Sequence, residues 1–184
     1  MHAIWKDGID KSSVKRLSEL LGMTRSSFYN AFGSQEDLVR ECLPLYAAAN
    51  PVAVLEDEVS GSVLVLITQV LKDLCRERAG DPEGRGCLIV NTVTELCPAK
   101  EGLGAEIAEL ILGSAHRLEE LLDLAKDSGE IAADADTRAL ALALQNAMVG
   151  LNVMCKVVGS EEELWLLTRA TLQGLGLYRE NIDA

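Results

Sequence analysis

Histidine is nearly absent from this chain, at His2 and His116 alone, and the five cysteines, Cys42, Cys75, Cys87, Cys97 and Cys155, are odd in number and irregular in spacing. Such a set builds neither a disulfide framework nor a paired Cys-x-x-Cys zinc site, so the thiols are expected to be reduced. No metal and no cofactor is expected. Long apolar runs are missing too: the longest such stretch, 139–158, is interrupted by Gln145, Asn146, Asn152 and Lys156, which excludes a membrane-spanning helix. The start, "MHAIWKDGID", lacks the basic end and apolar segment of a secretory signal, leaving the cytoplasm as the expected compartment. The Gly-x-Ser-x-Gly elbow, the phosphate loop, His-Glu-x-x-His and the dinucleotide fingerprint are all absent, and no enzyme is expected.

Alternation of apolar and polar residues over a strand's length is also lacking. Apolar residues return instead at intervals of three and four, so the fold is read as all-α. A stub ends near Asp7, with Gly8 at its C-terminus. Ser12 is expected to cap a second helix burying Val14, Leu17 and Leu21; Gly22 ends it. Thr24 caps a third, which would bury Phe28, Ala31 and Phe32. Ser34 with Asp37 opens a fourth, which Pro44 is expected to interrupt. The segment "AAANPVAV" reads as a joint, giving a module at 1–48 and a larger helical domain at 49–184.

In that second domain Val59, Val63, Ile67, Val70 and Leu74 trace a long helix. Another spans roughly 87–96, bounded by Pro98, and a third follows Ile107, Leu110, Ser114, Leu118, Leu121 and Ala125. An apolar helix over about 137–156 is stopped by Gly159, and Ser160 with Glu163 opens the last, with Leu164, Leu167, Thr171 and Leu175 on one face.

The net charge of -12 opposes nucleic-acid binding if taken whole, because phosphate neutralisation supplies most non-specific affinity. Its distribution matters more. Residues 1–46 carry six Lys/Arg against six acids, and within 11–32 four basic residues face Glu19 alone. There lies "GMTRSSFYNAF", residues 22–32, a short helix with a polar front. Helix, glycine turn, helix is a geometry that presents the second helix N-terminus first to a groove. At about nine residues it would be about 13 Å long, close to the roughly 12 Å width of the major groove. Arg25 suits guanine or phosphate and Asn30 suits adenine, while Ser26, Ser27 and Tyr29 suit phosphate or adaptable base contacts. Ser12 and Ser13, at the start of the preceding helix, complete the expected DNA-binding set. The plainer alternative is that these residues only solvate one face of a small bundle.

The stretch "GIDKSSVKRLSELLGMTRSSFYNAFGSQEDLV" resembles the N-terminal module of the TetR/AcrR family of transcriptional regulators. The resemblance rests on Gly8, Ile9, Ser12, Val14, Leu17, Gly22, Thr24, Tyr29 to Phe32, Ser34 and Leu38. It implies a homodimer, a three-helix DNA-binding module, a helical domain that binds a small effector, and release of double-stranded operator DNA, an inverted repeat, when the effector binds. The departures are a first helix cut to "HAIWKDG", Gln35 where the family often has Lys, and Pro44. The short first helix implies either a start further upstream or modest operator affinity. A helical interaction or small-molecule-binding protein on the same scaffold, with weakened DNA binding, is the alternative.

Polar residues inside apolar helices are costly unless paired, so Thr68, Gln69, Asn91, Thr92, Thr94, Glu95 and Asn152 are effector-contact candidates, with Asn91 and Glu95 first. Met148, Met154 and Trp165 would wall a mostly aliphatic pocket for an apolar or amphipathic effector. The helix over 137–156 is apolar around most of its girth and needs several buried sides. Ala143, Ala147 and Gly150 would admit a helix of a second subunit, and Leu164, Leu167 and Thr171 would complete the dimer interface. Cys87 and Cys97, ten residues apart on one helix, would sit about 15 Å apart, beyond disulfide reach. For either thiol, redox sensing and inert burial both stand. His116 reads as a surface residue.

Overall fold

Helix starts and stops in the structure, a computed structural model describing residues 1–97 and 101–180, follow capping chemistry closely. The helices among the described residues are α1 His2–Asp7, α2 Val14–Leu21, α3 Arg25–Phe32, α4 Gln35–Ala48, α5 Val63–Gly80, α6 Leu88–Leu96, α7 Gly102–Asp127, α8 Thr137–Met154 and α9 Glu161–Gly174, with a 3₁₀ turn at Pro51–Glu56. No strand occurs among them. Side-chain oxygens of Thr24, Ser34, Ser62, Asp136 and Ser160 accept the first free amides of α3, α4, α5, α8 and α9. Gly22 closes α2 in the left-handed conformation, φ 66°, that a residue with a Cβ adopts only at a cost.

Some expectations are corrected. Ser13, not Ser12, caps α2, and Val59 precedes α5, which begins at Val63. Leu21, Ala31 and Leu110 are exposed; Ser18 and Ala115 are buried on those helices instead. Pro44 does not break α4, although it removes the amide that would donate to the Arg40 carbonyl. Leu43 and Tyr46, buried on either side of it, hold the last turn by packing. Pro98, expected to bound α6, lies outside the described residues.

The chain forms two compact units, residues 1–49 with 87–110, and residues 50–86 with 111–184. A single cut between 48 and 49 therefore does not describe them: α6 and the first part of α7 join the N-terminal helices. In the first unit Ile4, Ile9, Leu17, Phe28, Val39 and Leu43 share a core with Leu88, Leu103 and Ile107. The stub α1 contributes fully, with Ile4 buried and the Trp5 ring edge-on to Tyr46 at 5.0 Å. In the second unit Leu64, Ile67, Leu71 and Leu74 of α5 meet Leu118, Leu121 and Leu122 of α7, Leu144 and Leu151 of α8, and Leu164 and Leu172 of α9.

Two polar clamps tie the loops of the second unit. Arg117 donates to the carbonyls of Leu55 (2.8 Å) and Asp57 (3.0 Å), satisfying the end of the 3₁₀ turn. Glu130 caps α5 from a distance in sequence: its carboxylate accepts the amides of Val63 (2.8 Å) and Leu64 (3.2 Å) and the Ser62 hydroxyl. Burial by itself would raise the Glu130 pKa, but these bonds and Arg179 outweigh it and hold the group below its ordinary value. A depressed folded pKa contributes stability above the unfolded value, and that stability is lost as pH falls through the folded one. Glu130→Gln should thus cost about 1.5–3 kcal/mol at neutral pH. The gap from wild type should narrow as pH falls below the ordinary carboxylate range in chemical denaturation; a gap that is constant with pH would refute the clamp.

Candidate nucleic-acid interface

The reader is built on Phe28, which is fully buried and fixes the rotation of α3. Phe32 lies 5.1 Å from it, ring to ring, and anchors the other end of the same face. Rotation about the helix axis then leaves Arg25, Ser26, Ser27, Tyr29 and Asn30 exposed, with the Tyr29 ring set edge-on to Phe28 at 6.1 Å. The eight residues of α3 make a rod about 12 Å long. Ser27 is partly committed, since its amide donates to Thr24 Oγ1 (3.1 Å) and the two hydroxyls lie 2.9 Å apart.

Ser12 does not belong to this surface. It is buried, and its hydroxyl donates to the Gly8 carbonyl at 2.6 Å. Ser13 is exposed and caps α2 through the Arg16 amide at 3.4 Å. Arg16 pairs with Asp7 at 2.6 Å, and Arg40 pairs with Asp37 and Glu106. Lys15 stands 4.0 Å from Glu19, both largely exposed. Among the described residues, the cations left without an ion pair on this side of the unit are Lys11 and Arg25.

The effector candidates divide between the two units, with Asn91, Thr92, Thr94 and Glu95 in the first and Thr68, Gln69, Asn152 and Trp165 in the second. Most are already spent. Thr68 accepts the Arg179 amide (3.2 Å), Gln69 is exposed and donates to Asp73 (3.0 Å), and the Thr94 hydroxyl donates to the Asn91 carbonyl (2.7 Å). Glu95 accepts the amide of Ile9, so it is a tie within the first unit. Trp165 lies under Lys72, 5.8 Å from its ammonium. Asn152 differs: it is buried, and its Oδ1 has no hydrogen-bond partner among the described residues.

Of the dimer candidates, Leu164 is fully buried in its own core and cannot meet a second subunit. Ala147, Gly150, Leu167 and Thr171 share the lining of a cavity of about 210 Å³ between α8 and α9, with Met148 and Met154 beside them. Ala143 is half-buried on α8. Sequence periodicity does not reveal how apolar the outer face of α8 is: Leu142 and Val153 are exposed on it, in register with Gly150, and Val157 is exposed in the turn just beyond its end. Cys87 and Cys97 flank α6, half-buried and exposed respectively, and are unpaired. His116 is exposed at the surface beside Glu119 and Glu120.

A three-helix reader with an exposed polar recognition helix, carried with a second all-helical unit, defines a helix-turn-helix DNA-binding protein. Residues 1–42 match the model described as bacterial regulatory proteins, tetR family, and residues 67–171 match the tetracyclin repressor-like C-terminal domain. The chain belongs to the TetR family, whose members are transcription regulators and not enzymes. It is 29% identical over 167 residues to the uncharacterized HTH-type transcriptional regulator YezE of Bacillus subtilis (strain 168), covering 85% of this chain and 82% of the relative. A cysteine mutant of the TetR family regulator CifR, in complex with 26-base-pair operator DNA, is 26% identical with a TM-score of 0.81, covering 92% of this chain and 90% of that one. Reduced NemR of E. coli shares the fold at 18% identity and a TM-score of 0.78, over 94% of this chain and 90% of that one. No helix among the described residues is long and apolar enough to cross a membrane.

Proposed function

We propose that the chain is a cytoplasmic, homodimeric repressor that holds double-stranded operator DNA through α3 of each protomer and releases it when a small effector binds the second unit. The observation that carries the reading is the exposed face of α3, where Arg25, Ser26, Tyr29 and Asn30 stand clear of a helix immobilised by Phe28. Arg25 serves guanine or phosphate, Asn30 serves adenine, and Ser13, Ser26 and Ser27 serve phosphate. The second copy seats on α8 and α9 around Ala147, Gly150, Leu167 and Thr171, so that two recognition helices meet half-sites of an inverted repeat one helical turn apart. The operator complex of CifR supports the DNA partner. The mostly aliphatic lining of the cavity beside α8, with Leu144, Met148, Leu151 and Met154, supports an effector that is mostly apolar.

The test is a titration with the DNA upstream of the coding region. Lys11, Lys15 and Arg25 from both protomers give about six phosphate contacts, so affinity should fall about a thousandfold between about 50 and 200 mM salt. Affinity flat with salt would reject the reading. Repeated with candidate ligands, the same titration identifies an inducer as one that raises thermal stability and lowers operator occupancy together.

A further inference from the structure

Between α1 and α2 the chain turns through residues 8–12, and the backbone groups of this turn are met from three directions. The Glu95 carboxylate, on α6, accepts the amide of Ile9 at 2.7 Å and that of Asp10 at 3.4 Å. Gln35, at the start of α4, donates to the Ile9 carbonyl at 2.6 Å, and Ser12 donates to that of Gly8. Gly8, at φ 83°, lies directly against the Glu95 carboxylate, where any Cβ would collide with it. Eighty-six residues separate Glu95 from Ile9, so this tie exists only in the folded unit.

We propose that Glu95 is a positioning residue for operator binding: its carboxylate fixes the turn at residues 8–10, and through it the start of α2 and the seat of α3. The proposal rests on the helix-turn-helix reading above. Its physical basis has two parts. Ser13, the cap of α2, follows the pinned turn by three residues, and α2 packs on α3, so a shift of the turn is passed to the recognition helix. In addition, an acid in a phosphate-binding unit opposes DNA electrostatically. If Glu95 were only a solvated charge, removing it would tighten binding. If it positions the turn, removing it weakens binding, and the two roles differ in sign.

Glu95→Gln, which retains one acceptor oxygen, should weaken operator binding about threefold, and Glu95→Ala about tenfold, with the salt slope unchanged because every phosphate keeps its cation. Binding as tight as wild type or tighter in both variants would overturn the proposal. Hydrogen exchange at the Ile9 and Asp10 amides reads the pin without DNA: both should exchange about tenfold faster in Glu95→Ala, and unchanged protection would overturn it even if no operator is found. Gly8→Ala provides a third arm. Its cost in affinity should be smaller in the Glu95→Ala background than in wild type, since the collision is then removed; strictly additive costs would count against the pin.

Discussion

An Arg25→Ala, Tyr29→Ala double variant should lose operator affinity by roughly a hundredfold or more while keeping the wild-type helical signal. Each good bond to a base or phosphate is worth about 1–3 kcal/mol, and about 1.4 kcal/mol is a factor of ten. Both side chains are exposed, so deleting them leaves the core around Phe28 intact. The single variants separate the proposed roles. Arg25→Ala should lower the salt slope by about one for each phosphate that the guanidinium neutralises, or relax preference at one base pair if it reads guanine. Asn30→Ala should relax preference at an adenine position with the slope unchanged. Anisotropy titrations against the operator and single-base variants decide among these. Wild-type affinity in both the Arg25 and the Tyr29 variant would remove α3 as the reader.

The second large effect concerns the proposed dimer. Gly150 is exposed on α8, and nothing lies within 4 Å of where its Cβ would be, so Gly150→Glu fits the protomer without strain. Replacing a mid-helix glycine even favours the helix, by up to about 1 kcal/mol. In a face-to-face pair related by two-fold symmetry, the same carboxylate enters the apolar seam from both sides, on the face that carries Leu142 and Val153 and beside the cavity lined by Leu167, where an unpaired charge costs several kcal/mol. The dimer dissociation constant should rise by a factor of a hundred or more, and operator binding should fall with it because one protomer engages only one half-site. Sedimentation should show the mass of one 19.8 kDa chain in Gly150→Glu and twice that in wild type. A Gly150→Glu protein that remains dimeric would place the seam elsewhere.

The sequence is most informative where the chemistry is local. Thr24, Ser34 and Ser160 each cap the helix expected of them, because a cap needs only a hydroxyl and an amide three residues on. Gly22 likewise ends α2. Neighbouring hydroxyls are harder to separate: Ser12 and Ser13 differ in role because the turn at Gly8 offers one of them a carbonyl, a fact of the folded chain. Periodicity locates a face but not the width of its cover, so Leu21, Ala31 and Leu110 fall on stripes that the neighbouring elements leave open. Leu164 departs in the opposite direction, being on the expected stripe but sealed in its own core. Glu95 is legible only as an acid in an apolar helix. Whether such a group faces a ligand or a distant backbone turn depends on pairing across most of the chain, which no short window contains.

The discontinuity of the first unit bears on how such a regulator can be taken apart. A fragment ending at residue 49 would leave the floor of its own interior behind, since Leu88, Leu103 and Ile107 arrive from later in the chain, and its first turn would lose the carboxylate that holds it. Splicing a foreign sensor onto this reader at Pro51 would strand an open apolar surface on the headpiece. A working graft has to carry α6 and the opening turns of α7 along with α1 to α4.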